Sequence, residues 1–242
     1  MTGFPLLPGA HAALVESLVP MPAPGALPAS LFLAPGGTAR LLAAARLHRP
    51  GADERAMASL WSRWYFAKLI PPVLMCGVLA RRSLPLSPVH TAVVLGEDGL
   101  PRAIALPHSG EVLPEPDPFA RFASLVHDHV AVVVRGLAAH ARLAPRILWN
   151  NAAVYADWAL RHLAEEQLVA PDMVRAALVL VENQSWSDGD PNPIHAPFTE
   201  RAGADGPCRI RRQCCLRYRL AGEAPCRTCP RTGARATLTN RY

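Results

Sequence analysis

Several common functional signatures are missing from this 242-residue chain. No Gly-x-Gly-x-x-Gly occurs, so nothing marks an internally bound dinucleotide. A Gly-x-Ser-x-Gly elbow and a His-Glu-x-x-His helix are also absent, which argues against the hydrolases built on them. The apolar run at 69–80 is too short to span a bilayer and is broken by Pro71 and Pro72. No basic leader precedes the apolar start MTGFPLLPGAHAALV, so the expected location is cytoplasmic, where thiols stay reduced. There is no internal repeat. After residue 200 the only aromatics are Tyr218 and Tyr242, too few for a platform that stacks single-stranded nucleic acid.

What the chain does have is a thiol cluster. Cys214, Cys215, Cys226 and Cys229 fall within sixteen residues, in RRQCCLRYRLAGEAPCRTCPR. Buried core cysteines usually occur singly, whereas four grouped thiolates are soft ligands that suit zinc or an iron–sulfur centre. Structural zinc sites usually present two Cys-x-x-Cys-like pairs. Here only the second pair has that form. Adjacent side chains on an extended backbone point to opposite faces, so Cys214 and Cys215 converge only across a sharp bend. A two-iron cluster accepts ligands from more widely separated directions, so the spacing favours [2Fe–2S], with a single zinc ion as the alternative.

Cys-Cys-x10-Cys-x2-Cys, placed this near the C-terminus, resembles the FhuF-type ferric-siderophore reductases. The motif covers 214–229, and a more diffuse likeness extends through 59–79 (SLWSRWYFAKLIPPVLMCGVL) and 147–160 (ILWNNAAVYADWAL). Cys208 and the Pro- and Ala-rich N-terminus depart from the pattern. The resemblance implies that Cys214, Cys215, Cys226 and Cys229 hold a [2Fe–2S] cluster. It also implies one-electron reduction of a cytosolic ferric siderophore, releasing Fe2+. The electron would come from an external donor, such as a ferredoxin or its reductase. Peripheral contact with a membrane transporter, at the inner face of the membrane, stays open. Two other classes compete with this reading: a zinc-stabilised basic module that binds nucleic acid or another anion, and a siderophore-binding protein whose centre is structural. The scarcity of aromatics makes nucleic acid the weaker partner.

Charge is concentrated beside the thiols. Residues 201–242 hold ten arginines against Asp205 and Glu223, a net +8, so the total of +6 leaves −2 for residues 1–200. Any single arginine reads as a solvated surface charge. Together they offset thiolate charge and attract an acidic donor protein or an anionic chelate.

The expected fold is α+β: a predominantly helical body with a small antiparallel β-hairpin or sheet, and a small C-terminal cysteine-ligated cluster module. Residues 1–184 form the body, 185–200 a linker, and 201–242 the arginine-rich [2Fe–2S] module. Apolar periodicity predicts helices over 11–18, 38–48, 54–69, 73–81, 118–141, 145–167 and 172–184, with Pro71 and Pro72 separating the third and fourth. Asp53 is the expected N-cap of the third. Residues 89–107 read as two strands joined at Glu97-Asp98-Gly99. Trp61, Trp64 and Tyr65 share one helix face and read as core. His127 and His129 point apart and make a poor metal pair. Cys76 reads as a buried small residue, Cys208 as a surface thiol, and Glu165 and Glu166 as solvated. Asn150 and Asn151 are either a helix cap or a polar contact in a pocket.

Overall fold

A computed structural model describes residues 6–7, 9–113, 117–203 and 206–231. Asp205, Arg235, Arg241 and Tyr242, counted above with the basic segment, lie outside these residues. The architecture is α+β and mostly helical, organised around one long helix, α2 (Glu54–Leu79). Asp53 caps it as expected: its carboxylate accepts the Ala56 amide at 2.8 Å, satisfying one of the free N–H groups of the first turn.

Pro71 and Pro72 do not end this helix; the expected pair of helices is one continuous element. Proline lacks an N–H, so Pro72 leaves the Lys68 carbonyl without its partner four residues on. Ser17 supplies the substitute, its hydroxyl donating to that carbonyl at 2.9 Å. Both prolines are buried, so tertiary packing overrides the local preference. Ser17 belongs to a segment where the expected 11–18 helix is replaced by a 3-10 turn, Gly9–Val15, followed by strand β1 (Leu18–Pro20). An isolated run that short does not sustain an α-helix, because nucleation is costly.

Around α2 lie α1 (Gly37–Leu47), α3 (Pro118–Ala123), α4 (Ala131–Ala141), α5 (Pro145–Glu165) and α6 (Pro171–Glu182). The expected 118–141 helix is a single helical run, but its middle, Ser124–Val130, is π-helical. By length and composition this run could cross a membrane, yet half of its apolar window is buried within the protein. His129 sits in the π segment, fully buried, with Tyr65 Oη 2.7 Å from its Nε2. The Leu86 carbonyl can only accept, so it takes the Nδ1 proton and leaves Nε2 to accept from Tyr65. Burial lowers the imidazole pKa to about 4, with the Leu86 bond opposing, so the ring is neutral near pH 7.

The core of the body is apolar and aromatic. Trp61 and Tyr65 stack at 5.3 Å between ring centres, and Phe32 meets both edge-on. Trp64, expected on the same buried face, instead lies at the surface, 37 % exposed, under the Arg102 guanidinium. Four strands form a sheet in the order β1, β5 (Pro101–Leu106), β4 (Ala92–Leu95), β2 (Leu27–Pro28). β4 and β5 are the expected antiparallel hairpin, whereas β1 runs parallel to β5. Gly99 turns the hairpin at φ +72, where a Cβ would strike the Ala45 backbone, and its carbonyl accepts Trp61 Nε1 at 3.1 Å. A minor pair joins β3 (Arg82–Ser83) to β6 (Glu111–Val112).

After α6 the chain is held against the body. Trp186 is buried between Phe119 and His127, and Ile194 is buried. Asn192 Nδ2 donates to the Leu180 and Asn183 carbonyls at 2.8 and 2.9 Å. The Ala196 amide bonds to the Val181 carbonyl at 2.8 Å. From there the chain enters the hairpin of β7 (Phe198–Gly203) and β8 (Gly206–Arg211).

Candidate metal centre at the C-terminal cysteines

β8 ends at Arg211, and the thiols follow within a few residues. The Arg211 amide donates to the Thr228 carbonyl at 2.9 Å, which ties the Cys-x-x-Cys turn to the end of the strand. The Cys229 amide closes that turn on the Cys226 carbonyl at 3.0 Å. On the other side, Leu216 adopts a left-handed conformation at φ 61, and its amide donates to Cys214 Sγ at 3.4 Å. This is a sharp bend immediately after the adjacent cysteines. Cys215 and Cys229 are buried; Cys214 and Cys226 are half-buried.

Cys215 Sγ and Cys226 Sγ are 3.8 Å apart, and no disulfide joins any of the cysteines. Two thiolates about 2.3 Å from one tetrahedral metal sit ~3.8 Å apart. This pair therefore stands at the separation of two ligands on a single zinc or iron. Contact with Cys226, helped by Arg211 and Arg63 against the effect of burial, lowers the Cys215 thiol, while the same contact and burial raise Cys226. Cys214 and Cys229 are near enough that the charge of Cys229 acts on both Cys214 and Cys226. Among the described residues, no three Cys, His, Asp or Glu side chains are already drawn together as a metal-binding group.

The surroundings provide a second test of fit. Arg211 is 2 % exposed, and no carboxylate among the described residues pairs with it. A buried cation without a counter-charge is costly. Its guanidinium is held by Asn150 Oδ1 at 3.4 Å and by Asn151 Oδ1, and the nearest anions in prospect are the thiolates of Cys215 and Cys226. Arg63, on α2, donates to Cys215 Sγ at 3.8 Å and lies beside Tyr155 on α5. Two arginines without acids facing a thiol pair suit a centre that carries net negative charge. An all-cysteine zinc site and a [2Fe–2S] centre both do.

Asn150 and Asn151, left open between cap and polar contact, are the polar seam between body and cysteines. Asn150 Nδ2 donates to the Pro197 carbonyl at 2.8 Å, and its Oδ1 accepts the Gln213 amide at 3.2 Å. Asn151 Nδ2 donates to Ser59 Oγ at 3.0 Å and Ser62 Oγ at 2.9 Å, and Ser59 Oγ donates to the Cys215 carbonyl at 2.8 Å. Arginines that read as solvated are in fact pinned: Arg209 to Asp157 at 2.7 Å, Arg219 to Asp53 at 2.7 Å, and Arg217 to Glu223 at 2.6 Å. Sequence reasoning missed Arg63, Ser59 and Ser62. Their i, i+3, i+4 spacing on α2 was visible, but nothing in it indicated that the cysteines would dock there.

The remaining candidates lie apart from the centre. Cys76 is buried about 25 Å along α2 from Ser59, its thiol pushed up to about 12 by burial. Cys208 points its thiol at the Arg201 carbonyl across the hairpin, at 3.5 Å. Glu165 and Glu166 are exposed at the end of α5, as expected.

Fold and site together define a mainly helical protein whose cysteine segment, with a close Cys215–Cys226 pair flanked by arginines, packs beside its longest helix. A family described as ferric iron reductase FhuF-like transporter matches residues 59–206, more than half of the chain, and this chain belongs to that family. The match runs from within α2 to the end of β7 and stops before the four cysteines. The ferric siderophore reductase of Escherichia coli (strain K12) is 25% identical over 187 residues, spanning 73% of this chain and 66% of the relative, just under two thirds of its length.

Proposed function

We propose that this protein reduces a ferric siderophore by one electron, using a [2Fe–2S] centre on Cys214, Cys215, Cys226 and Cys229, and so releases Fe2+. The observation that carries the reading is the Cys215–Cys226 pair, 3.8 Å apart beneath two arginines that have no acidic partner among the described residues. Family membership supports the siderophore-iron chemistry. When bound, such a centre supplies one electron at a time, matching the single electron that takes chelated Fe3+ to Fe2+. The oxygens of a siderophore are hard ligands that hold Fe2+ far more weakly than Fe3+, so reduction makes the iron exchangeable.

The chain's own residues set the conditions for this. Arg63 and Arg211 offset negative charge at the thiolates, which favours the reduced state. Exposed Arg212, Arg227 and Arg231 near the cysteines attract an acidic electron donor of the ferredoxin class. The reaction belongs in a reducing compartment, where the four thiols stay available.

An anaerobic visible spectrum before and after dithionite tests the reading. Expected are red-brown protein, bleaching on reduction, about two irons per chain, and Fe2+ trapped when a ferric chelate is added. The 3.8 Å spacing equally suits zinc. Colourless protein with one zinc would replace this reading with that of an anion-binding module.

A further inference from the structure

An open cavity of about 300 Å3 lies between the N-terminal turn, α2 and α5. Pro71, Pro72, Met75 and Trp158 give it apolar walls, Lys68 reaches it, and Tyr155 lines it. Lys68 is the single lysine of the chain. The position of this cavity relative to the cysteines sets it apart. Ser59, Arg63 and Ala67 follow one another at four-residue intervals down one face of α2, and Asn151, Tyr155 and Trp158 at steps of four and three down α5. The first residue of each series bonds to the cysteine segment or to its partners. The second residues, Arg63 and Tyr155, lie against each other, with Arg63 on Cys215 Sγ. The third residues line the cavity. Its near edge at Ala67 is therefore about 6 Å along α2 from Arg63.

Neither of two other cavities has these properties. The one beside Arg46 and Arg49 has its charges already paired, with Glu54 and Glu223. The one at Arg81 and Phe122 lies toward the far end of α2.

We propose that the α2–α5 cavity is the seat of the substrate. It holds the apolar organic arm of a ferric hydroxamate or carboxylate chelate, with an oxygen of the chelate at Lys68 and the iron turned toward Tyr155 and Arg63. The cavity is too small for a whole chelate of that class, so the iron-bearing part stays outside the apolar walls, on the side nearer the cysteines. Tyr155 and Arg63 then stand between substrate and Cys215 along this face. This inference rests on the reductase reading and assigns its binding site.

A gallium(III) trihydroxamate chelate tests it without redox chemistry, since Ga3+ matches Fe3+ in charge and is not reduced. Binding is measured by titration on wild type, Val154→Phe, Ala67→Phe and Lys68→Glu, each checked for an unchanged visible spectrum and melting temperature. The expected result is a Kd at least tenfold weaker in the two cavity-filling variants and several-fold weaker in Lys68→Glu. The charge reversal at Lys68, which fills no space, keeps the test decisive if a cavity-filling variant misfolds. Equal binding by all four proteins overturns the assignment. If all variants also reduce the ferric chelate with unchanged KM, the seat is wrong and the reductase reading stands. Cavity-dependent binding by a wild type that reduces nothing keeps the seat and overturns the reductase reading.

Discussion

The helical body and the cysteine segment are stabilised by different physics. The body buries large apolar side chains, with Trp61, Tyr65, Phe66, Leu69 and Leu74 fully enclosed along α2 alone. Burying each contributes about 2 kcal/mol. Among the described residues 206–231, the buried side chains are Ile210, Arg211, Cys215, Leu220 and Cys229. Two are thiols and one is a cation, so this segment has almost no oil to fold around. It leans instead on hydrogen bonds to α2 and α5 and on ion pairs. Small units without a core commonly obtain stability from a metal. The comparison teaches that the body should survive loss of the centre, whereas the segment should not.

Cys226→Ser offers the harshest test of that contrast. It should abolish metal loading, raise proteolytic cutting within 206–231 by about tenfold or more, and move the melting of the body only slightly. A body that melts together with the segment would erase the distinction. Next comes Asn151→Leu at the seam, which strips partners from Arg211, Ser59 and Ser62 at once and should cost roughly 4 kcal/mol in urea unfolding.

The body has its own sensitivity, to acid. The folded-state pKa of His129 is about 4, below the unfolded value of 6.5, so the unfolded chain binds the extra proton between them. The stability contributed by neutral His129 is fully present above about pH 6.5 and is lost as pH falls toward 4, to a total of about 3 kcal/mol. Urea midpoints from pH 7.5 to 4.5 should fall more steeply in wild type than in His129→Gln. The smallest effect is expected from Ser17→Ala, which leaves the Lys68 carbonyl unpaired beside the prolines at a cost of about 1 kcal/mol. Locally faster hydrogen exchange in the middle of α2 would accompany it.

Much of this was legible from residue patterns. The apolar periods of α4, α5 and α6, the Asp53 cap and the Gly99 hairpin rest on local chemistry, and they appear where that chemistry puts them. The unbroken α2 was not legible, because the group that repairs its missing rung is Ser17, far away in sequence. The parallel pairing of β1 with β5 is equally non-local. At the site, the four cysteines announced themselves through spacing. Their setting did not: Arg211 resembled any other arginine of a basic segment, and only the fold brings it under Asn150 and Asn151, with no ion pair to an acid among the described residues. Burial, unlike charge, has no signature in a run of arginines.

Asp53 gives the two regions a common reporter. One of its carboxylate oxygens accepts the Ala56 amide, and the other holds Arg219 of the cysteine segment. Detachment of the segment leaves that carboxylate free to reorient, and the first turn of α2 frays with it. The exchange rate of a single backbone amide, that of Ala56, thus becomes a gauge of whether the thiol-bearing end of the chain is seated, readable in solution without any probe on the cysteines themselves.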